Sequence, residues 1–195
     1  MNGLDPAPVA AAIAARRRAL GDPRPLVAAI DGHSGAGKST LAHRLAALLP
    51  AAVIDGDDFF AGGVLLRSDS PAERAAACVD WQAQRSVLAT LRAGRRATWH
   101  AFDWEAFDGR REAEASACEP VPVILLEGAY SGRPELADLL DLRILLRAPD
   151  AVRLARLHRR EGGLGPWDLQ WHEAEEHYFG SVVSPAGFDL VLETG

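Results

Sequence analysis

The chain has 195 residues, 48% hydrophobic and 25% charged, with a net charge of −6. That length suits one domain, read over 1–195, with a buried core, and the negative balance argues against non-specific nucleic-acid binding. The two cysteines, Cys78 and Cys118, form no CxxC pair, so neither a disulfide framework nor a zinc site is expected and a reducing cytoplasm is the natural location.

In chain order, "APVAAAIAARRRAL" (7–20) places its charges after its apolar run. Signal peptides have the opposite order, so the segment reads as a short helix in a lead-in that reaches residue 25. No run approaches a membrane span, and no membrane partner is expected. "LVAAI" (26–30) reads as a buried strand, 38–49 as a helix closed by Pro50, and "AVID" (52–55) as a short strand. Residues 71–93 read as one helix stopped at Gly94, and "ATWHAF" (97–102) as a strand. The apolar runs "VPVILLE" (121–127) and "LRILLRA" (142–148) predict strands covered on both faces. A helix over 149–161, a Gly-rich break, a helix from Pro166 to about Phe179 and a strand over 188–194 complete the chain. This alternation predicts an α/β fold: a mostly parallel, five-stranded sheet between two helical layers. The chemistry of such folds lies on loops beyond the carboxyl ends of the strands, here 56–70, 103–120 and 161–166.

"GHSGAGKS" (32–39) fits G-x-x-x-x-G-K-[ST] between a strand and a helix. Its glycines let successive N–H groups curl into an anion nest, and the following helix directs its positive end at the same phosphates. The stretch assigned to the nucleotide is Gly32, His33, Ser34, Gly35, Ala36, Gly37, Lys38, Ser39 and Thr40. Lys38 is expected to reach the outer phosphates and Ser39 to offer its hydroxyl to Mg²⁺. Asn2 is the only asparagine, so the N-K-x-D of a guanine switch is absent. What remains is a small phosphotransferase.

Three aspartates, Asp55, Asp57 and Asp58, close the second strand in "VIDGDDFF". Phosphoryl transfer to a hydroxyl needs a carboxylate to orient the acceptor and take its proton, and acid near the metal; the alternative is a capped turn with solvated acids. Glu127 ends the run "VILLE" and is the second expected metal-side acid. Arg153, Arg156 and Arg160 share a helical face beside a Gly-rich hinge. They read as nucleotide-facing residues of a lid over 149–166, against the alternative of a solubilising stripe. "WHEAEEH" (171–177) departs from H-E-x-x-H, so zinc is not expected. Trp167 and Trp171 are read as packing on the domain.

Together, "DGHSGAGKST", "VIDGDDFF", "VDWQ", "FDWE", "LLEG" and "RLARLHRRE" resemble the uridine kinase-like group of P-loop kinases. That group includes uridine–cytidine kinase, nicotinamide riboside kinase, phosphoribulokinase and bacterial pantothenate kinase. The resemblance runs from Leu26 to the end. It implies Asp57 as the catalytic carboxylate, with Phe60 beside the acceptor, and Asp80 of "VDWQ" as holder of sugar hydroxyls. It also implies Glu127 near the metal and Arg156 and Arg160 among the catalytic lid arginines. In "WHAFDWEAFDG" it makes His100, Phe102, Asp103 and Arg110 candidate acceptor contacts. Uridine kinases carry a histidine where Phe107 falls here, so a pyrimidine would lose a polar partner. The reading is a Mg²⁺- and ATP-dependent kinase of a small-molecule hydroxyl, foremost a nucleoside. A sugar, a pantothenate-like alcohol or an antibiotic is the alternative acceptor; a non-catalytic ATP-binding regulator is the alternative function. Whether the chain forms a homo-oligomer is left open.

Overall fold

The computed structural model describes residues 4–195. Five parallel strands form the main sheet: β1 (Leu26–Asp31), β2 (Ala51–Asp55), β5 (Val123–Glu127), β6 (Leu142–Arg147) and β7 (Leu190–Glu193), in the order β2-β5-β1-β6-β7. The central strands β1 and β5 are buried at every position. Their side chains alternate between two cores. Leu26, Ala28 and Ile30 join helices α1 (Ala7–Ala19) and α2 (Lys38–Ala46) on one face, through Ile13, Leu41 and Leu45. Val27, Ile124 and Leu126 join the other face, with Leu88 and Leu91 of α4 (Trp81–Arg92) and Trp171 of α6 (Pro166–His177). Covering on both sides explains the unbroken apolar runs in the sequence.

Two expected elements differ. The helix expected over 71–93 is two helices, α3 (Pro71–Ala77) and α4. Val79 leaves the helical path to bridge Phe60, and the Asp80 carboxylate caps α4 by accepting from the Ala83 N–H at 2.9 Å. Aspartate is among the best N-cap residues, and this local bond outweighs helical continuity. The strand expected over 97–102 is only β3 (Ala97–Trp99). It pairs antiparallel with β4 (Ser116–Cys118), a strand absent from the sequence reading, in a small hairpin outside the main sheet. α5 (Asp150–Glu161) follows β6; a π-helical turn over Tyr178–Val182 extends α6 toward β7. Among the described residues no helix is long and apolar enough to cross a membrane.

Candidate active site

The loop between β1 and α2 can follow its path only with glycine at key points. Gly32 has φ +147°, and a Cβ there would lie 2.1 Å from the Leu146 carbonyl oxygen. Gly35 has φ +80°, and its Cβ would lie 2.5 Å from the Arg153 carbonyl oxygen. Both conformations disfavour other residues, and backbone blocks both sites. Gly37 caps α2 with no side-chain acceptor, so the first-turn N–H groups stay free of a side-chain cap. Lys38 reaches back along the loop, donating to the His33 carbonyl at 3.1 Å. Asp31 anchors the loop from beneath. It is fully buried and accepts from Gly32 N–H (2.8 Å), Gly132 N–H (2.9 Å) and Tyr178 Oη (2.8 Å). Burial pushes its carboxyl up to about 6, opposed by those three bonds.

The strand ends supply the acids. Asp55 and Glu127 are register partners at the ends of β2 and β5. Burial, then the charge of Asp55, pushes Glu127 up to about 7, while a hydrogen bond from Ser39 and the charge of Lys38 pull the other way. Asp55 caps a short 3₁₀ turn over Gly56–Phe59 by accepting from the Asp57 N–H at 2.9 Å. This turn presents Asp57 to the space in front of the loop. Asp57 is open to that space yet surrounded by protein, and desolvation, then Asp55, raises its carboxyl to about 6. Asp58 turns away, accepting from Trp99 Nε1 at 2.7 Å.

Two cavities meet here. The smaller, about 250 Å³, lies against Lys38, Ser39, Thr40, Glu127 and Arg156. The larger, about 710 Å³, is a cleft walled by Phe60, Trp104, Phe107, Trp167 and Trp171. Phe60 is the hub of this wall, with ring centroids 5.0 Å from Trp104 and 5.4 Å from Trp171. Asp57, Ser34 and Arg160 line both cavities. The smaller cavity fits a nucleotide's phosphates: a glycine-built nest, a buried lysine and a hydroxyl–carboxylate pair, Ser39 and Glu127. Mg²⁺ characteristically takes one or two protein oxygens and completes its shell with phosphates and water. No cluster of three or more metal-ligating His, Cys, Asp or Glu occurs among the described residues; Ser39 and Glu127 are two oxygen donors of this cavity, with Thr40 and Asp57 beside them.

The sequence-derived residues fall into two groups. Asp57, Phe60, Lys38, Ser39, Glu127, Arg156 and Arg160 converge on the two cavities. Ser34, Gly35, Gly37 and Thr40 of the loop line them too, whereas Asp80, His100, Phe102, Asp103, Arg110 and Arg153 do not reach the cleft. Asp80 caps α4; Asp103 caps its own turn, accepting from Ala106 N–H at 2.8 Å. Phe102 is buried behind Phe60 at 5.1 Å. His100 is exposed with Nδ1 at 2.9 Å from the Glu112 carbonyl, and Arg110 is exposed and paired with Asp108. Arg153 is buried between Asp150 and Glu176. Arg156 also braces the loop from outside, donating to the Gly35 carbonyl at 3.2 Å. His33 packs against Phe179, with ring centroids 4.1 Å apart and planes tilted by 35°, and burial lowers its pKa.

Trp104 and Phe107 also line the cleft, and so do Trp167, Trp171 and Glu175 from α6; the two tryptophans pack on the core as expected, and Glu175 is the one the sequence reading missed. The three α6 residues recur every fourth residue. That spacing puts them on one helix face, a signal that, extended one step beyond Trp167 and Trp171, reaches Glu175.

A parallel sheet ending in a phosphate loop, with an acid-bearing cleft beside it, defines a P-loop kinase fold. The sequence model of the Phosphoribulokinase / Uridine kinase family matches residues 27–162. The chain belongs to that family. Among solved structures it is similar to a candidate fructose transport system kinase from Silicibacter sp. TM1040, at 25% identity and TM-score 0.73, covering 97% of this chain and 99% of that one. It is also similar to a possible uridine kinase from Bacillus stearothermophilus: 18% identity, TM-score 0.65, covering 93% and 99%. The D-glycerate 3-kinase of Cryptococcus neoformans var. grubii aligns at 16% identity and TM-score 0.61, covering 89% and 85%. These last two likenesses speak to the fold alone. No curated protein matches at a significant level.

Proposed function

We propose that the protein transfers the γ-phosphoryl group of ATP to a hydroxyl of a small molecule held in the aromatic cleft. The observation that carries this is the position of Asp57, which lines the phosphate cavity and the acceptor cleft at once. Bound Mg²⁺–ATP would supply the transferable group and neutralise part of its charge. The chain's own residues do the rest. The nest at 32–39 and Lys38 hold the phosphates, and Ser39 with Glu127 hold the metal. Asp57 orients the acceptor hydroxyl and takes its proton as the oxygen becomes a nucleophile. Arg160, lining both cavities, offsets the charge that develops between them. α5 and the Gly-rich turn after it, 149–166, act as a lid that excludes water. The aromatic wall gives the acceptor side of the site one apolar face beside its acids.

The nucleoside reading rested on Asp80 for the sugar hydroxyls and on the 99–110 loop for the base. With Asp80 and Asp103 bound as caps and His100 facing solvent, a sugar-like alcohol is favoured over a nucleoside. The likeness to a candidate fructose transport system kinase supports the same choice. Acceptor-dependent ADP release, measured over neutral sugars, polyols and nucleosides, tests both levels. Release with sugars and not nucleosides is expected. Release with nucleosides alone would restore the nucleoside reading. ATP hydrolysis unchanged by every acceptor would favour a regulator over a kinase.

A further inference from the structure

We propose that Glu175 is an acceptor-binding residue and that, with Asp57, it selects a neutral polyhydroxylated acceptor over an acidic one. The inference rests on the kinase reading, since it assigns the cleft to the acceptor. α6 turns Trp167, Trp171 and Glu175 toward that cleft from one face. Glu175 is only 5% exposed and is held by the phosphate loop itself: Oε2 accepts from the Ser34 N–H at 2.9 Å and Oε1 from the Ser34 hydroxyl. A carboxylate has about four acceptor sites, so two bonds fix its orientation and leave capacity for a ligand. Among the described residues no donor bonds the Asp57 carboxylate. Two carboxylates with open acceptor sites thus border the same cleft.

The charge of the cleft narrows the class. Asp55, Asp57, Glu161, Asp168 and Glu175 line it, against one arginine, Arg160, itself paired with Glu161. No lysine lines it. An acceptor bringing its own carboxylate or phosphate would bury an unpaired anion among anions. Hydroxyl groups instead donate to carboxylates, in charge-assisted bonds. The indole and phenyl wall offers a flat apolar surface to the C–H face of a sugar ring. Three residues of the cleft, Tyr130, Trp171 and His172 (at Nδ1), also hold buried polar atoms that lack a good protein partner. Tyr130 Oη has only the Cys78 thiol, a weak acceptor, and Trp171 Nε1 has none. Buried polar groups are normally bonded, so unmet capacity at this wall is a second sign of a ligand.

The test uses the intact protein with ATP and Mg²⁺. Neutral hexoses and pentitols are compared with D-glycerate and pantothenate by tryptophan-fluorescence titration and by ADP release. The neutral compounds should bind and be turned over, and the acids should do neither. Glu175→Gln should raise the acceptor KM about 10-fold or more while leaving the ATP KM within about twofold, because its amide oxygen still accepts from Ser34. Tighter binding of an acid would overturn the proposal without any variant. So would a Glu175→Gln protein that loses ATP affinity but not acceptor affinity, which would make Glu175 a brace of the loop. Sugars that bind through Glu175 without ADP release would leave this inference standing and sink the kinase reading.

Discussion

Two aspartates, one buried and one open to the cleft, show how one residue type serves two ends. Asp31 and Asp57 are both raised to about 6 by desolvation. Asp31 meets three donors and holds the loop; Asp57 meets none among the described residues and faces the cleft. Asp31→Asn removes one acceptor oxygen and sets an amide N–H₂ against N–H and O–H donors. Leaving such groups unpaired costs about 1–3 kcal/mol. For a chain of this length that is a fall in Tm of roughly 2–12 °C, measurable by calorimetry; an unchanged Tm would mean that Asp31 does not anchor the loop. Asp57 makes a prediction about pH. A general base works only when ionised, and with its carboxyl raised to about 6 it is protonated below that pH. The value of kcat/KM should therefore rise with pH through about 6. A limb centred near 4, the ordinary aspartate value, would show that the rate-controlling group is not this desolvated acid.

At the scale of elements, the active site is a contact between the phosphate loop and the two helices that follow β6. Gly35 touches the backbone of α5, and Ser34 holds Glu175 of α6. Gly35→Ala meets both a left-handed φ and the Arg153 carbonyl, so ATP affinity should drop at least about 10-fold by equilibrium titration while the sheet remains folded. Retained affinity would mean that the loop can shift freely. Where sequence reading succeeded, the reason was local. The loop motif, the acid at the end of an apolar run and the 3.6-residue periodicity all lie within one element. It faltered where two distant segments competed. Nothing near Val79 signals that it will bridge Phe60, and β4 becomes a strand only because β3 lies beside it. Asp80 resembled an acceptor ligand because a motif records a residue's position, whereas its capping bond depends on where α4 begins.

Over the whole molecule, the parallel sheet brings the ends of β1, β2 and β5 to one edge. Lys38, Asp57 and Glu127 meet there although they are far apart in sequence. This convergence was legible, because alternating strands and helices leave few topologies and the family resemblance narrows them further. The acceptor cleft was less so. Its wall joins residues from the 3₁₀ turn after β2, the loop after β3 and α6, and only the folded chain makes Phe60, Trp104 and Trp171 neighbours. The central claim is that Asp57 takes the proton of an acceptor hydroxyl in front of an ATP-binding loop. Its most direct test is acceptor-dependent ADP release by Asp57→Asn beside the unmodified protein, with ATP binding measured in both. The account predicts unchanged ATP binding and a loss of about 10²-fold or more in kcat. Near-normal, acceptor-dependent turnover by Asp57→Asn would contradict it.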